Sequence, residues 1–326
     1  MKPGSDPGQS FALGPGAEFD RIRGIIGALG TQAVGVGDDC ALLSSGDGFV
    51  ALSTDVSVEG VHFRLDWISL EEVGWRAAAA ALSDLAAEGA EAVGLLAAVT
   101  VPDGAGQPEL LQVMMGIGAA AEFAGGKVLG GDLSSGSAWS LAITVAGQVQ
   151  HPVTRAGAVP GDGLWVTGDL GGSRAALAAW RRGTSPSANT RRRFAHPEPR
   201  ITAGRWLARH GARAMLDLSD GLAGDAAHLA AASSVRLEIE LERIPLAPEA
   251  NREARRLAQP PQQFAAEGGE DFELLVALPS EFGDAAEFTT ACGISLTQVG
   301  TVRAGNGVRF TLEGLPIQLT GFNHFG

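Results

Sequence analysis

Short apolar runs and longer alanine-rich stretches alternate along the chain, which predicts strands interleaved with helices. The run Phe49-Val50-Ala51-Leu52-Ser53 reads as a strand. Residues 70–88 are rich in alanine, carry glycine only at Gly74 and stop at Gly89, so they predict a helix closed by a C-terminal glycine. Residues 94–101 predict a buried strand, 108–124 a helix, and 139–149 a strand holding β-branched residues. Turn residues cluster from His151-Pro152 to Pro160-Gly161-Asp162 and place a domain boundary there. Beyond it, strands are expected at 163–167, 214–218, 236–241 and 272–278, and helices at about 173–182 and 221–232. Residues 183–199 read as a loop, whose run Arg191-Arg192-Arg193 is either a solvated face or an active-site lid. The expectation is an α/β (α+β) fold with domains over 17–150 and 151–326. A disordered tail over 1–16 precedes them, rich in Gly, Pro and Ser and without the apolar core of a signal peptide.

The bulk numbers narrow the function classes. At 326 residues the chain has the length of two domains, and its formal net charge of −13 argues against nucleic acid or an anionic membrane as partner. No uninterrupted apolar stretch approaches the ~18 residues of a membrane span. Cys40 and Cys292 lie far apart without metal-ligand spacing, so neither a disulfide framework nor a zinc site is expected, which suits a cytoplasmic protein. The only lysines are Lys2 and Lys127. A cation that meets phosphate here is therefore arginine or a metal.

Aspartates in apolar or glycine-rich settings carry the candidate chemistry. They are Asp38 and Asp39 in Gly-Val-Gly-Asp-Asp-Cys-Ala, Asp55 in Leu-Ser-Thr-Asp-Val, Asp84 in Leu-Ser-Asp-Leu-Ala-Ala, and Asp132 in Gly-Gly-Asp-Leu. Asp217 and Asp220 share Asp-Leu-Ser-Asp-Gly, and Glu270-Asp271 stands in Gly-Gly-Glu-Asp-Phe-Glu. Taken singly, Asp55 and Asp220 read as turn residues, and Asp84 as an exposed helix residue beside Glu88. Repeated directly after apolar runs, they point to a metal–phosphate site, because buried carboxylates need a partner and Mg²⁺ prefers hard oxygen ligands. The chain lacks a G-x-x-x-x-G-K-[ST] loop, a complete G-x-G-x-x-G and the protein-kinase motif set.

In order along the chain, several of these motifs resemble thiamine-monophosphate kinase. They are Gly37-Asp38-Asp39-Cys40-Ala41, Ser53-Thr54-Asp55 with Val58-Glu59-Gly60-Val61-His62-Phe63, and Leu82-Ser83-Asp84-Leu85-Ala86-Ala87. Gly130-Gly131-Asp132, Asp217-Leu218-Ser219-Asp220-Gly221-Leu222, Gly268-Gly269-Glu270-Asp271-Phe272-Glu273-Leu274 and Gly321-Phe322-Asn323-His324-Phe325 continue the series. The resemblance implies the two-domain fold of aminoimidazole-ribonucleotide synthetase, selenophosphate synthetase and a hydrogenase-maturation protein. It implies a homodimer whose N-terminal mixed sheets join into a barrel, with ATP and several Mg²⁺ ions between domains. It assigns Asp39, Ser53, Thr54, Asp55, Asp84, Asp132, Asp217 and Asp220 as metal ligands. Gly131, Asp132, Arg155 and Ser219 match ATP contacts, and His62, Glu270 and Phe322 match the thiamine-phosphate site. The chain departs from the family where Leu133-Ser134-Ser135 replaces a usual Thr-Thr-Arg, where Arg76 and Ala81 replace a common Lys and Asn, and in having no tyrosine.

The implied reaction is in-line transfer of the γ-phosphoryl group of ATP to thiamine monophosphate, the last step in making thiamine diphosphate. A phosphate monoester has its second pKa near ~6, so the acceptor is already ionised and no general base is assigned. His62 fits a hydrogen-bonding role and Arg155 a forked cation on phosphates. Phe322 fits stacking on a cationic ring, and Glu270 suits a cationic substrate. Two alternatives stand beside this reading: another ATP-dependent member of the same fold, and a silent nucleotide- or metal-binding protein.

Overall fold

The computed structural model describes residues 10–321. Phe322, expected at the substrate, lies outside them, as do residues 1–9 of the expected tail. Within the rest of that tail, the Phe11 amide donates to the Val36 carbonyl.

The first half forms an open five-stranded mixed sheet. Its strands are β1 (Ala41–Ser45), β2 (Gly48–Val58), β3 (Glu91–Pro102), β4 (Val128–Gly136) and β5 (Ser140–Val149), in the order β1-β2-β5-β3-β4. Only β3 and β4 run parallel; the other pairs are antiparallel. Helix α1 (Ala17–Leu29) precedes the sheet and buries none of its residues. Helices α2 (Leu70–Ala87) and α3 (Gln107–Phe123) pack beside it.

Sequence chemistry explains α2 closely. Ser69 and Glu72 form a capping box at its start, and Gly89, at φ 68°, closes its end. Between them the alanines bury nearly a whole side of the helix. Gly74 and Gly116 let α2 and α3 touch backbone to backbone: a β-carbon at either would collide with a carbonyl of the other helix.

The second half holds a seven-stranded sheet in the order β12-β11-β8-β10-β6-β9-β7. These are β6 (Gly163–Thr167), β7 (Ala214–Asp217), β8 (Arg236–Glu240), β9 (Leu274–Leu278), β10 (Leu296–Arg303), β11 (Gly307–Leu312) and β12 (Leu315–Ile317). Helices α4 (Gly172–Arg181), α5 (Ala188–Ala195), α6 (Ile201–Arg209) and α7 (Leu222–Ser233) intervene, followed by α8 (Pro248–Arg256), α9 (Pro261–Ala266) and α10 (Ala285–Cys292). One apolar core joins the first sheet, α2 and α3 to Met215, Leu274, Val276 and Leu278 of the second. α2 therefore serves both halves, and a β-carbon at Gly204 of α6 would strike the Ala86 carbonyl.

Two expectations need correcting. Residues 183–199 are not all loop: Ser187 caps α5 by accepting from the Thr190 amide. The arginine run is largely committed to structure, Arg191 pairing with Glu72 and Arg193 with Asp169. The strand expected over 94–101 is not buried on both faces, since Val93, Leu96 and Ala98 are exposed.

Candidate active site

Three elements deliver carboxylates to one point at the junction of the two halves. Asp39 lies in the loop before β1, Asp84 in the last turns of α2, and Asp217 ends β7. One oxygen from each lies within 4.8 Å of the others. Asp39 and Asp217 are buried and Asp84 is half-buried. Ser53 of β2 donates to Asp84 Oδ2 at 2.5 Å. Burial, then the charges of Asp55, Asp217 and Asp39, raises Asp84 well above the ordinary carboxyl range. Burial and Asp39 push Asp217 up to about 8, and burial followed by Asp39 and Glu18 raises Asp55. Such crowding of acids lacks enough nearby cation.

Among the described residues, the cation at the centre is Arg155. Its Nη2 donates to Asp39 Oδ1 at 2.5 Å, and its amide donates to Asp38 Oδ1 at 3.1 Å. Burial opposes the arginine charge, but Asp39 and Asp38 outweigh it and hold its pKa above the usual value. Asp38 also accepts from the Asp39 amide at 3.0 Å, so its carboxylate ties the two segments together. Burial and then Asp39 lift Asp38 to about 7. The Oδ2 atoms of Asp38 and Asp39 are buried with no hydrogen-bond partner.

The loop after β7 extends the site. Asp220 follows Ser219, and its amide donates to Asp225 Oδ2 at 3.0 Å. Ser219 O accepts from the Glu270 amide at 2.7 Å, which brings the Glu270 loop against the acid cluster. His62 sits in the turn after β2, its Nδ1 accepting from the Val58 amide at 3.0 Å.

Thr54 and Asp132 project elsewhere. The cross-strand register aligns Thr54 with Thr144, and Asp132 with Ala98 and then Ala142. The Thr54–Thr144 and Thr100–Ser134 hydroxyl pairs mark this as the outer face, opposite to Ser53 and Asp55. Asp132 and Gly131 are exposed on edge strand β4. The structure thus gathers Asp39, Ser53, Asp55, Asp84 and Asp217, with Asp220 beside them, and does not bring Asp132 or Thr54 to them.

Two groups, Asp225 and Glu88, escaped the sequence reading of the site, and Asp38 was named there without a role. Asp38 was visible in the Gly-Asp-Asp pair, but its bond to the Arg155 amide spans 117 positions. Asp225 is buried on α7, and burial followed by the charges of Asp220 and Asp217 raises it well above the carboxyl range. Glu88, read as a surface partner of Asp84, is fully buried, and burial followed by Asp38 raises it strongly.

The two-domain α/β fold is that of the AIR synthase related proteins. The model of their N-terminal domain matches residues 37–149, and that of their C-terminal domain matches residues 159–313. Thiamine-monophosphate kinase of Halobacterium salinarum is 38% identical over 301 residues, 92% of this chain and 97% of the relative. That of Mycobacterium tuberculosis is 36% identical over 266 residues, 81% of this chain and 80% of the relative. A solved structure, AaThiL complexed with AMPPCP and TMP, superposes with a TM-score of 0.85 at 31% identity, covering 94% of this chain and 97% of its own. The chain belongs to the thiamine-monophosphate kinase family.

Proposed function

We propose that this protein transfers the γ-phosphoryl group of ATP to thiamine monophosphate, giving thiamine diphosphate and ADP. The observation that carries this is the convergence of Asp39, Asp84 and Asp217 beside Arg155, in a chain of this family. A relative binds AMPPCP, an ATP analogue, together with TMP.

The donor set fits Mg²⁺: hard carboxylate oxygens from three elements, with Asp39 Oδ2 buried and unpartnered. Bound there, Mg²⁺ supplies charge neutralisation and alignment for two polyanionic substrates. Asp39, Asp84 and Asp217 would hold it, with Ser53 orienting Asp84, and Asp55 and Asp220 supplementing the set. Thr54 and Asp132 remain proposed ligands on the resemblance alone, since the strand register sets them on the outer face.

Arg155 is pre-oriented by Asp38 and Asp39 to meet phosphate oxygens without first losing side-chain freedom. Gly131, Asp132 and Ser219 are the proposed further ATP contacts, and His62, Glu270 and Phe322 the thiamine-phosphate contacts. A β-carbon at Gly131 would collide with the Ala97 carbonyl, so glycine is needed there for the strand pairing itself. The acceptor phosphate arrives ionised and no side chain need remove a proton.

A homodimer is proposed with the five-stranded sheets of two copies meeting in a barrel. Support comes from β1 and β4, which form the sheet edges among the described residues, and from exposed Val56, Val93 and Leu96 on the sheet. Cytoplasmic location is proposed; among the described residues, no helix is long and apolar enough to cross a membrane.

Incubation of the protein with Mg·ATP and thiamine monophosphate, followed by chromatography, tests the reading. Equal yields of thiamine diphosphate and ADP are expected. ADP without thiamine diphosphate would reject the acceptor, and neither product alongside Mg·ATP binding would favour a silent binding protein.

A further inference from the structure

Glu270 does not stand alone at the proposed substrate site. Its carboxylate forms an ion pair with Arg76 of α2, whose side chain is 6% exposed against 27% for Glu270. Arg76 is fixed on two further sides: Nη1 donates to the Phe194 carbonyl at 2.6 Å, and the guanidinium lies 3.8 Å from the Phe194 ring centroid. Eight positions along α2 stands Asp84, so one helix carries both the buried arginine and an acid of the cluster.

The Glu270 backbone is equally constrained. Glu270 adopts φ 67° and Phe272 φ 52°, both in the left-handed region. The Glu270 amide donates to Ser219 O and the Phe272 amide to Leu218 O, at 2.7 and 3.0 Å. Next in the chain, Asp271 accepts from the Gly171 and Ser173 amides at 2.6 and 3.2 Å. A loop pinned on both flanks leaves the Glu270 side chain as the free variable, and Arg76 removes that freedom.

We propose that Arg76 is a positioning residue for substrate selection, fixing the Glu270 carboxylate and neutralising it. Glu270 then meets the substrate as an aimed hydrogen-bond acceptor for an N–H donor, such as the amine of an aminopyrimidine, and not as a bare counter-ion for the thiazolium. The inference rests on the thiamine-phosphate reading above. Swinging Glu270 away to neutralise a cation would leave Arg76 charged, buried and unpaired, which the fold resists.

The test compares steady-state kinetics, thermal melting and direct titration with thiamine monophosphate for the wild type, Arg76→Met, Arg76→Lys, Glu270→Gln and the Arg76→Met/Glu270→Gln pair. Arg76→Met should raise KM for thiamine monophosphate by about tenfold, with kcat and KM for Mg·ATP within about threefold. Glu270→Gln, which keeps an acceptor oxygen, should raise that KM by about threefold. The double variant should return to the Glu270→Gln value, because no unpaired carboxylate remains.

Additive effects in the double variant, or a lower KM in Arg76→Met than in the wild type, would overturn the proposal in favour of a free counter-ion. Equal losses in kcat and both KM values would reduce Arg76 to packing. If Arg76→Met does not fold, Arg76→Lys decides: it keeps the charge but loses the fork, and an unchanged KM for thiamine monophosphate overturns the proposal. A wild type that neither binds nor phosphorylates thiamine monophosphate rejects the parent reading itself, a result distinct from any pattern among the variants.

Discussion

Asp217 and Asp132 are the same residue type in sequence settings that look alike, yet the fold treats them oppositely. Asp217 closes a fully buried strand, faces Asp39 and Asp84, and holds its proton up to about 8 through burial and the charge of Asp39. Asp132 lies on an exposed edge strand, on the outer face of the other sheet. The buried cluster is a preorganised, self-repelling set of acids, and on the proposed reading a bound cation relieves that repulsion. The exposed strand brings no such crowding of acids together among the described residues. The difference separates a site's fixed frame from its accessory contacts.

The sharpest way to break the comparison is neutralisation. Asp217→Asn should cut kcat/KM by about a thousandfold, the order expected for losing part of a metal-assisted phosphoryl-transfer site. The same change should raise the melting temperature of the metal-free protein at pH 8, since one repelling charge is gone. A variant with lost activity and lowered melting temperature would mean that the cluster is not self-repelling.

Next in size is removal of the central cation. Arg155→Met leaves Asp39 without its guanidinium partner while Asp38 keeps its bond to the residue-155 amide, and should destabilise the protein by about 3 kcal/mol in denaturant titration. A loss below about 1 kcal/mol would show that the pairs are solvated.

A pH scan sharpens the same point. Asp217 is raised to about 8 by burial and Asp39, and Asp271 to about 7 by burial. Both bind a proton more tightly folded than unfolded, so their contribution is complete below the ordinary value of 3.8 and is lost as pH rises towards 7 and 8. The metal-free melting temperature should therefore fall by several degrees, on the order of 5 °C, between about pH 5 and about pH 8. A flat or rising profile would contradict the shifts.

The smallest effect falls on the exposed strand. Asp132→Asn should leave stability within about 0.5 kcal/mol and raise KM for Mg·ATP by about tenfold. A stability loss matching that of Arg155→Met would erase the distinction between the regions.

Local pattern made much of this legible. Alanine spacing and Gly89 delimited α2, and β2, β5 and β6 lay in the apolar runs. The repeated Ser-Asp and Gly-Asp motifs marked residues that α2, β7 and the loop before β1 then brought together. Long-range facts stayed hidden. Nothing near Arg191 announces Glu72, 119 positions away, so the arginine run looked like loop. The faces of Thr54 and Asp132 depend on cross-strand register, which the motif order does not carry. The strand expected from Phe272 begins at Leu274, because Glu270 and Phe272 take left-handed conformations. Strands β10 to β12 and helices α6 and α8 to α10 were not among the elements expected from the sequence.

The central claim is that Asp39, Asp84 and Asp217 hold a divalent cation that relieves their repulsion. The most direct measurement is the melting temperature of wild type and Asp217→Asn at about pH 8, with and without Mg²⁺, and with no nucleotide present. A marked upward shift is expected for the wild type, following linkage to native-state binding, and little or none for the variant. Equal shifts in both proteins, or no shift in the wild type, would contradict it.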